Sequence, residues 1–426
     1  MFSYAYYSYT NPVIFTTKST YYSSSSFFFI LIIGFALLGS GYYYGLRTDN
    51  ADIFIADLID DINSIIEDYR SDKSDEEKEK QNTELIPKDE KIVKKDTKYK
   101  LLPLPKNPYY SVDKHARKCP KKAAKDISSL AKYLSKGAKS DLQKARSIYV
   151  WLTENISYDD KGYNSGNYSD CDALSVLQNK TSVCEGYAEL FLTLGLEMGL
   201  EIEKIHGYAK GYGYSSGDKF IDTNHAWNII KINNQWRVFD ATWGRGFGKN
   251  VNGNLVSKKD FNEYWFNVDP YESIFNHLPD DFDKTFVSRK IDLKIYERMP
   301  YIDNEYFQLG FNGKNTLTQS LKSNKLSTPK CYGIDTYVKA TKAPNLDLLN
   351  LDESYYFELY VPRAYKIAII DAENNWTYFE REKGVFSLNY TPNVKGEIRI
   401  SAKIENGGDS YHTIMIYKAG TNQQIS

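Results

Sequence analysis

Residues 225–242 read HAWNIIKINNQWRVFDAT. Two runs rich in Ile, Val, Trp and Phe, His225 to Ile232 and Gln235 to Thr242, flank Asn233-Asn234. That pair suits a two-residue hairpin turn, because Asn tolerates the positive φ such turns require. If Ile232 faces Gln235, Trp227 lies opposite Asp240. His225 is two residues from Trp227, so it shares a face with Asp240 and stands diagonal to it. The diagonal is about 7–8 Å between backbones, within reach of the two side chains. The hairpin thus sets an imidazole beside a carboxylate, which can fix the imidazole tautomer and leave the other ring nitrogen for a third group. A slip of one residue would flip one strand and undo the pairing. An ordinary surface His–Asp contact reads the same way, so the third group decides.

The candidate for that group is Cys184. Ser182-Val183-Cys184-Glu185 reads as a capping box, with Ser182 at N-cap and Glu185 at N3, which puts Cys184 at N2 of a helix from Val183 to Met198. Free backbone N–H groups and the helix dipole there favour negative charge, and thiolate is the reactive form of cysteine. The same N–H groups can hold an oxyanion. The plain alternative is a buried cysteine packed as a small hydrophobe. His206, on the strand Ile202 to Lys210, reads as a packed or surface histidine. Trp227, Trp236 and Trp243 read as core and cleft wall. Gly211, Gly213 and Gly217 form a flexible loop before His225, placed to cover a cleft; no helix start follows, so it is not a nucleotide fingerprint.

Working outward, Lys122 to Leu134 and Leu142 to Ile156 carry helical spacing, the second burying Leu142, Ala145, Ile148, Tyr149, Leu152 and Ile156 on one face. Lys161 to Asp170 reads as a loop. Beyond about residue 286 helices are expected to fade into short strands, Tyr355 to Val361, Lys366 to Asp371, Val385 to Tyr390, Glu397 to Ala402 and Tyr411 to Tyr417, which predict a β-sandwich-like unit over 286–426 with its own core. On the other side, 71–110 reads as a charged linker. Eighteen of the thirty residues from 71 to 100 are charged, with both signs mixed and no periodicity, so this stretch is solvated rather than folded. Residues 47–70 hold an amphipathic helix through Leu58, Ile59, Ile62, Ile65, Ile66 and Tyr69. The uncharged stretch Phe27 to Leu46 is long enough as a helix for roughly 30 Å of hydrocarbon, with Tyr42 to Tyr44 suited to an interface. It reads as a single-pass membrane anchor behind a polar Tyr- and Ser-rich leader, 1–26; a cleaved signal and a buried core helix remain open. The flanking charges lean towards a catalytic domain outside the cytoplasm.

Composition sets limits. The net charge of -1 and the lack of a large basic block argue against nucleic acid as a partner. The four cysteines, Cys119, Cys171, Cys184 and Cys331, form no CxxC pair, against a zinc knuckle or a dense disulfide framework; one bridge, Cys119 to Cys171, stays open.

Three segments carry a resemblance. Val183-Cys184-Glu185-Gly186-Tyr187-Ala188, Asn224-His225-Ala226-Trp227-Asn228 and Trp236-Arg237-Val238-Phe239-Asp240-Ala241-Thr242-Trp243-Gly244 resemble the catalytic segments of the transglutaminase-like superfamily, most sharply its kyphoscoliosis-peptidase branch. The likeness extends to Lys144-Ala145-Arg146 with Trp151, to Ile156-Ser157-Tyr158-Asp159, and to Tyr264-Trp265-Phe266, Asp269-Pro270 and His277-Leu278-Pro279. The resemblance implies an α+β, papain-like catalytic domain over 111–285, with Cys184 as nucleophile, His225 as base and Asp240 as orienting acid. His277 belongs to the closing motif and is expected to be structural. The implied chemistry is acyl transfer on peptide or amide bonds through a thioester, with no cofactor and a protein or peptide substrate. Water as acceptor makes a protease or amidase, an amine a cross-linker; the branch resembled favours hydrolysis. A membrane-tethered module that keeps the fold without the chemistry is the alternative.

Overall fold

The computed structural model describes residues 101–322, 326–405 and 407–421. The apolar stretch Phe27–Leu46, the amphipathic segment and most of the charged linker lie outside them. Among the described residues no helix is long and apolar enough to cross a membrane.

The half of the described chain before residue 286 is a helical layer on an antiparallel sheet. Asp141–Asn155 is its central helix. The Ser140 side chain accepts from the Gln143 N–H at its start, and Ile148, Tyr149, Val150 and Leu152 are wholly buried along it. Cys184–Glu197 packs beside it and over a four-stranded sheet ordered Gln235–Phe239, His225–Ile232, Ile202–Ala209, His277–Pro279. Phe191 of the helix meets Phe239 of the sheet edge-on, ring centroids 6.1 Å apart. Arg146 is the polar pin of this half. It is fully buried and reaches both oxygens of Asp113 (2.7 and 2.9 Å) and both of Glu263 (2.7 Å each).

The hairpin has the register that its turn demands. Ile232 pairs Gln235, and the pairing continues to Asn228 opposite Phe239. Asn233 and Asn234 both take positive φ, 49° and 63°, the conformation of a primed two-residue turn. The second strand is shorter than expected and stops at Phe239. Asp240 leaves the sheet to cap the short helix Ala241–Arg245. The expected capping box is absent. Ser182 belongs to a two-residue strand parallel to Ser157–Tyr158, Val183 is the N-cap without a side-chain bond, and Cys184 is the first helical residue. Glu185 is drawn away to Lys204 and His206. All four cysteine thiols are free. Part of the expected loop at 161–170 is helical, Asp160–Ser165.

Beyond residue 286 the chain is not helix-poor at first. Leu293–Arg298, Asn304–Gln308 and Gly313–Lys322 precede the strands. Short helices of this kind carry little periodicity to read. The strands then form two sheets. One is ordered Lys339–Lys342, Tyr355–Tyr360, Val385–Tyr390, Glu380–Glu382. The other is ordered Leu348–Asn350, His412–Gly420, Gly396–Ile404, Ala364–Ile370, Trp376–Tyr378, with Lys330–Cys331 also paired to His412–Gly420. Phe357 of the first sheet meets Tyr417 of the second edge-on at 5.6 Å, and the shared core includes Ile274, Phe275 and Leu278 from the half before residue 286. Buried Lys210 donates to the carbonyls of Tyr296 (2.9 Å) and Met299 (2.7 Å), a second tie across residue 286.

Candidate active site

Cys184, half-buried, begins its helix because strand Thr181–Ser182 delivers the chain there. Gly186 is needed within the first turn. A Cβ at that position would collide with the Ser182 side chain, so glycine lets the strand and the helix start close together. As the first helical residue, Cys184 has an N–H without an intrahelical acceptor.

His225 opens its strand and is 9% exposed, and Asp240 is 1% exposed. Their bond is short: His225 Nε2 lies 2.7 Å from Asp240 Oδ2. Cys184 stands close enough to the same imidazole to add to the rise in its pKa. With Nε2 committed to the carboxylate, Nδ1 is the nitrogen left to face the sulfur. Trp243 packs 5.3 Å and Trp227 6.0 Å from the ring, centroid to centroid, and hold it there.

Asp240 is fully bonded. Oδ1 accepts from the amides of Thr242 (2.8 Å) and Trp243 (2.9 Å), while Oδ2 accepts from His225 and also from His277 Nε2 at 3.0 Å. Four donors match the acceptor capacity of one carboxylate. Burial alone would raise its pKa, but the charge of His225 and the bonds from both histidines more than offset that and hold it well below the usual carboxylate range. Burial likewise opposes a charged His225, yet Asp240, with Cys184 adding to it, raises the imidazole to about 10. His277 goes the other way. Burial dominates, Asp240 only partly offsets it, and the ring falls to about 4, so it is a neutral donor through Nε2 at physiological pH. Its buried Nδ1 has no hydrogen-bond partner among the described residues.

His277 is the residue that sequence reasoning missed as part of the site. Its strand pairs with Ile202–Ala209, Ala209 opposite His277, across some seventy residues of chain that local periodicity does not bridge. His206, by contrast, is exposed and bonded to Glu185 at 2.8 Å. Trp227 is core, Trp243 lines the cleft, and Trp236 stacks on Phe286 at 5.6 Å.

His225, Asp240 and His277 have the donor types of a metal site, with ligand atoms within 4.8 Å of one another. Ligands about 2.0–2.1 Å from a tetrahedral ion stand roughly 3.3 Å apart. The 2.7 and 3.0 Å contacts onto one oxygen are tighter, and a shared proton fits them better than an ion.

The transglutaminase-like superfamily model matches residues 128–241, which include Cys184, His225 and Asp240. The kyphoscoliosis peptidase of Mus musculus is 27% identical over 206 residues, 45% of this chain and 31% of that protein. Hillarin of Drosophila melanogaster is 26% identical over 222 residues, 48% of this chain and 26% of its own. The match thus spans less than a third of the length of these curated relatives. The crystal structure of red sea bream transglutaminase aligns with 74% of this chain and 58% of its own at 10% identity, with a TM-score of 0.25, too loose a superposition to carry weight.

Proposed function

We propose that the transglutaminase-like domain carried by this chain, of the kyphoscoliosis-peptidase-like branch, is a cysteine acyl-transfer enzyme acting on peptide or amide carbonyls. The observation that carries the reading is the buried His225–Asp240 bond at 2.7 Å, with Cys184 close enough to the same ring to raise its pKa. With its pKa raised to about 10, His225 already holds the thiol proton on Nδ1 as an imidazolium, and the sulfur attacks the carbonyl carbon as thiolate. The oxygen, now negative, is held by the free N–H of Cys184 at the helix start. As the intermediate collapses, His225 returns its proton to the leaving amine and an acyl-thioester remains. Water or a second amine, deprotonated by the same nitrogen, attacks the thioester and restores the thiol. Water gives hydrolysis, the outcome favoured by the branch; an amine gives a cross-link. Asp240 keeps the imidazole oriented and balances the imidazolium. His277 is a positioning residue: it touches neither thiol nor substrate and acts through Asp240.

The C-terminal sheets, on this reading, form a sandwich-like unit that supplies no triad residue. The stretch Phe27–Leu46 tethers the enzyme to a membrane. Cys184→Ala tests the chemistry: it should abolish turnover and thioester formation while leaving the melting temperature within a few degrees. Full turnover by that variant would refute the mechanism.

A further inference from the structure

Beside the triad lies a cavity of about 260 Å³. It shares a wall with the site. Trp243, whose ring is 5.3 Å from that of His225, lines it, as does Tyr158, which pairs with Ser182, two residues before Cys184. Small-molecule and cofactor pockets start at about 300 Å³. This one is on the scale of one side chain and its neighbour in an extended peptide.

Its chemistry is uneven. Trp243, Trp265 and Phe247 supply an apolar wall, and Arg245, Lys258 and Lys210 supply positive charge, whereas no Asp or Glu lines it. Lys210 contributes least, because its ammonium donates to Tyr296 and Met299 carbonyls. Arg245 is different. Its Nε donates to the Ile156 carbonyl at 2.7 Å, which fixes the guanidinium, and it has no carboxylate within 4 Å among the described residues. Lys258, exposed on the hairpin strand Asn254–Lys259, has none either and lies 5.9 Å from the Phe247 ring centre. The carboxylate behind this wall, Asp160, takes the Ser257 N–H and hydroxyl on Oδ2 (2.9 and 3.0 Å). A guanidinium fixed through Nε and without a carboxylate partner among the described residues is suited to a carboxylate bound through two parallel N–H···O bonds.

We infer that this cavity is a substrate subsite for an acidic peptide, taking an aromatic or long apolar side chain against Trp243 and Phe247 with a neighbouring carboxylate on Arg245 and Lys258. The inference rests on the acyl-transfer reading and names its substrate class. The hairpin Gly246–Val251/Asn254–Lys259 and the segment carrying Tyr301 and Asn304 both contribute lining residues, so the specificity of the site is set outside the triad strands.

The test uses the full chain and two dansylated pentapeptide amides that differ only in Phe-Glu against Phe-Gln, with binding followed by fluorescence. The Glu peptide should bind about tenfold tighter, the scale of one charge-assisted pair. Arg245→Gln should bring the two peptides to near-equal affinity. Lys258→Gln, on an exposed strand where folding is not at risk, should narrow the gap by about twofold. Equal binding of the two peptides to the unaltered protein, or a preference untouched by both substitutions, would overturn the subsite. Alkylation of Cys184 by iodoacetamide in the same samples reads the acyl-transfer chemistry separately. A fast Cys184 without acid preference sinks the subsite alone; an acid preference with an inert Cys184 supports the subsite and sinks the enzyme reading.

Discussion

Replacing His277 by Phe should slow the chemistry while leaving the fold nearly as stable as before. The imidazole gives Asp240 one of its four hydrogen bonds, at 3.0 Å, and a bond to a charged acceptor is worth roughly 1.5–3 kcal/mol. If Asp240 loses that much of its restraint in the transition state, the rate falls about 10- to 100-fold at ~1.4 kcal/mol per decade. Stability behaves differently. Phe keeps the ring contacts with Trp243 (4.5 Å), Trp265 (4.6 Å) and Trp227 (4.8 Å) and changes the volume little. It also removes the buried Nδ1 that lacks a partner, a group that costs about 1–3 kcal/mol, so the lost bond is largely offset. His277→Gln, which can present an N–H near the same place, should recover most of the rate. The assay is the second-order rate of Cys184 alkylation by iodoacetamide, read by mass spectrometry, beside thermal melting.

There is a pH signature as well. The folded pKa of His277, about 4, is below the ordinary 6.5, so the unfolded chain binds the extra proton between those values. Its contribution to stability is therefore present above about 6.5 and lost as pH falls towards 4, with a slope near 1.4 kcal/mol per pH unit. The Phe variant should lose this slope. If its Cys184 rate and acid sensitivity both equalled those of the unaltered protein, the positioning role of His277 would be refuted.

Other outcomes follow from the same geometry. His225→Ala should depress the alkylation rate and turnover more than Asp240→Asn, because the second change loses orientation and keeps the base. On the alkaline side the sign reverses: His225 is raised to about 10, so its contribution is full below about 6.5 and is lost as pH climbs towards 10. Chemical denaturation of the protein from pH 7 to 10 should show that decline, and His225→Ala should flatten it. Arg146→Met should destabilise by roughly 3 kcal/mol, since Asp113 is 3% exposed and would keep only Arg117, at 4.0 Å, as a charged partner. Urea unfolding checks that figure, and adding Asp113→Asn should restore part of the loss.

Much of the site could be read before the structure because its key contact is local. Two Asn residues set a turn, the turn sets the register, and the register puts His225 diagonal to Asp240. The same logic failed where side chains had better partners elsewhere. Glu185 did not close a capping box because Lys204 and His206, on a strand about twenty residues on, bind it. His277 reached Asp240 only through sheet order, and Lys210 reached Tyr296 and Met299 only through tertiary packing. In the C-terminal region the strand Val385–Tyr390 was legible from its alternation, whereas the three-residue strands Trp376–Tyr378 and Glu380–Glu382 are too short for any period.

The acyl-transfer account turns on one thiol. Incubating the protein with a peptide library, quenching in acid and searching intact mass and digests for a thioester should find the acyl group on Cys184 and not on Cys119, Cys171 or Cys331. The adduct should vanish in His225→Ala. Acylation spread evenly over the four cysteines, or none at Cys184 while the peptides are still turned over, would contradict the account.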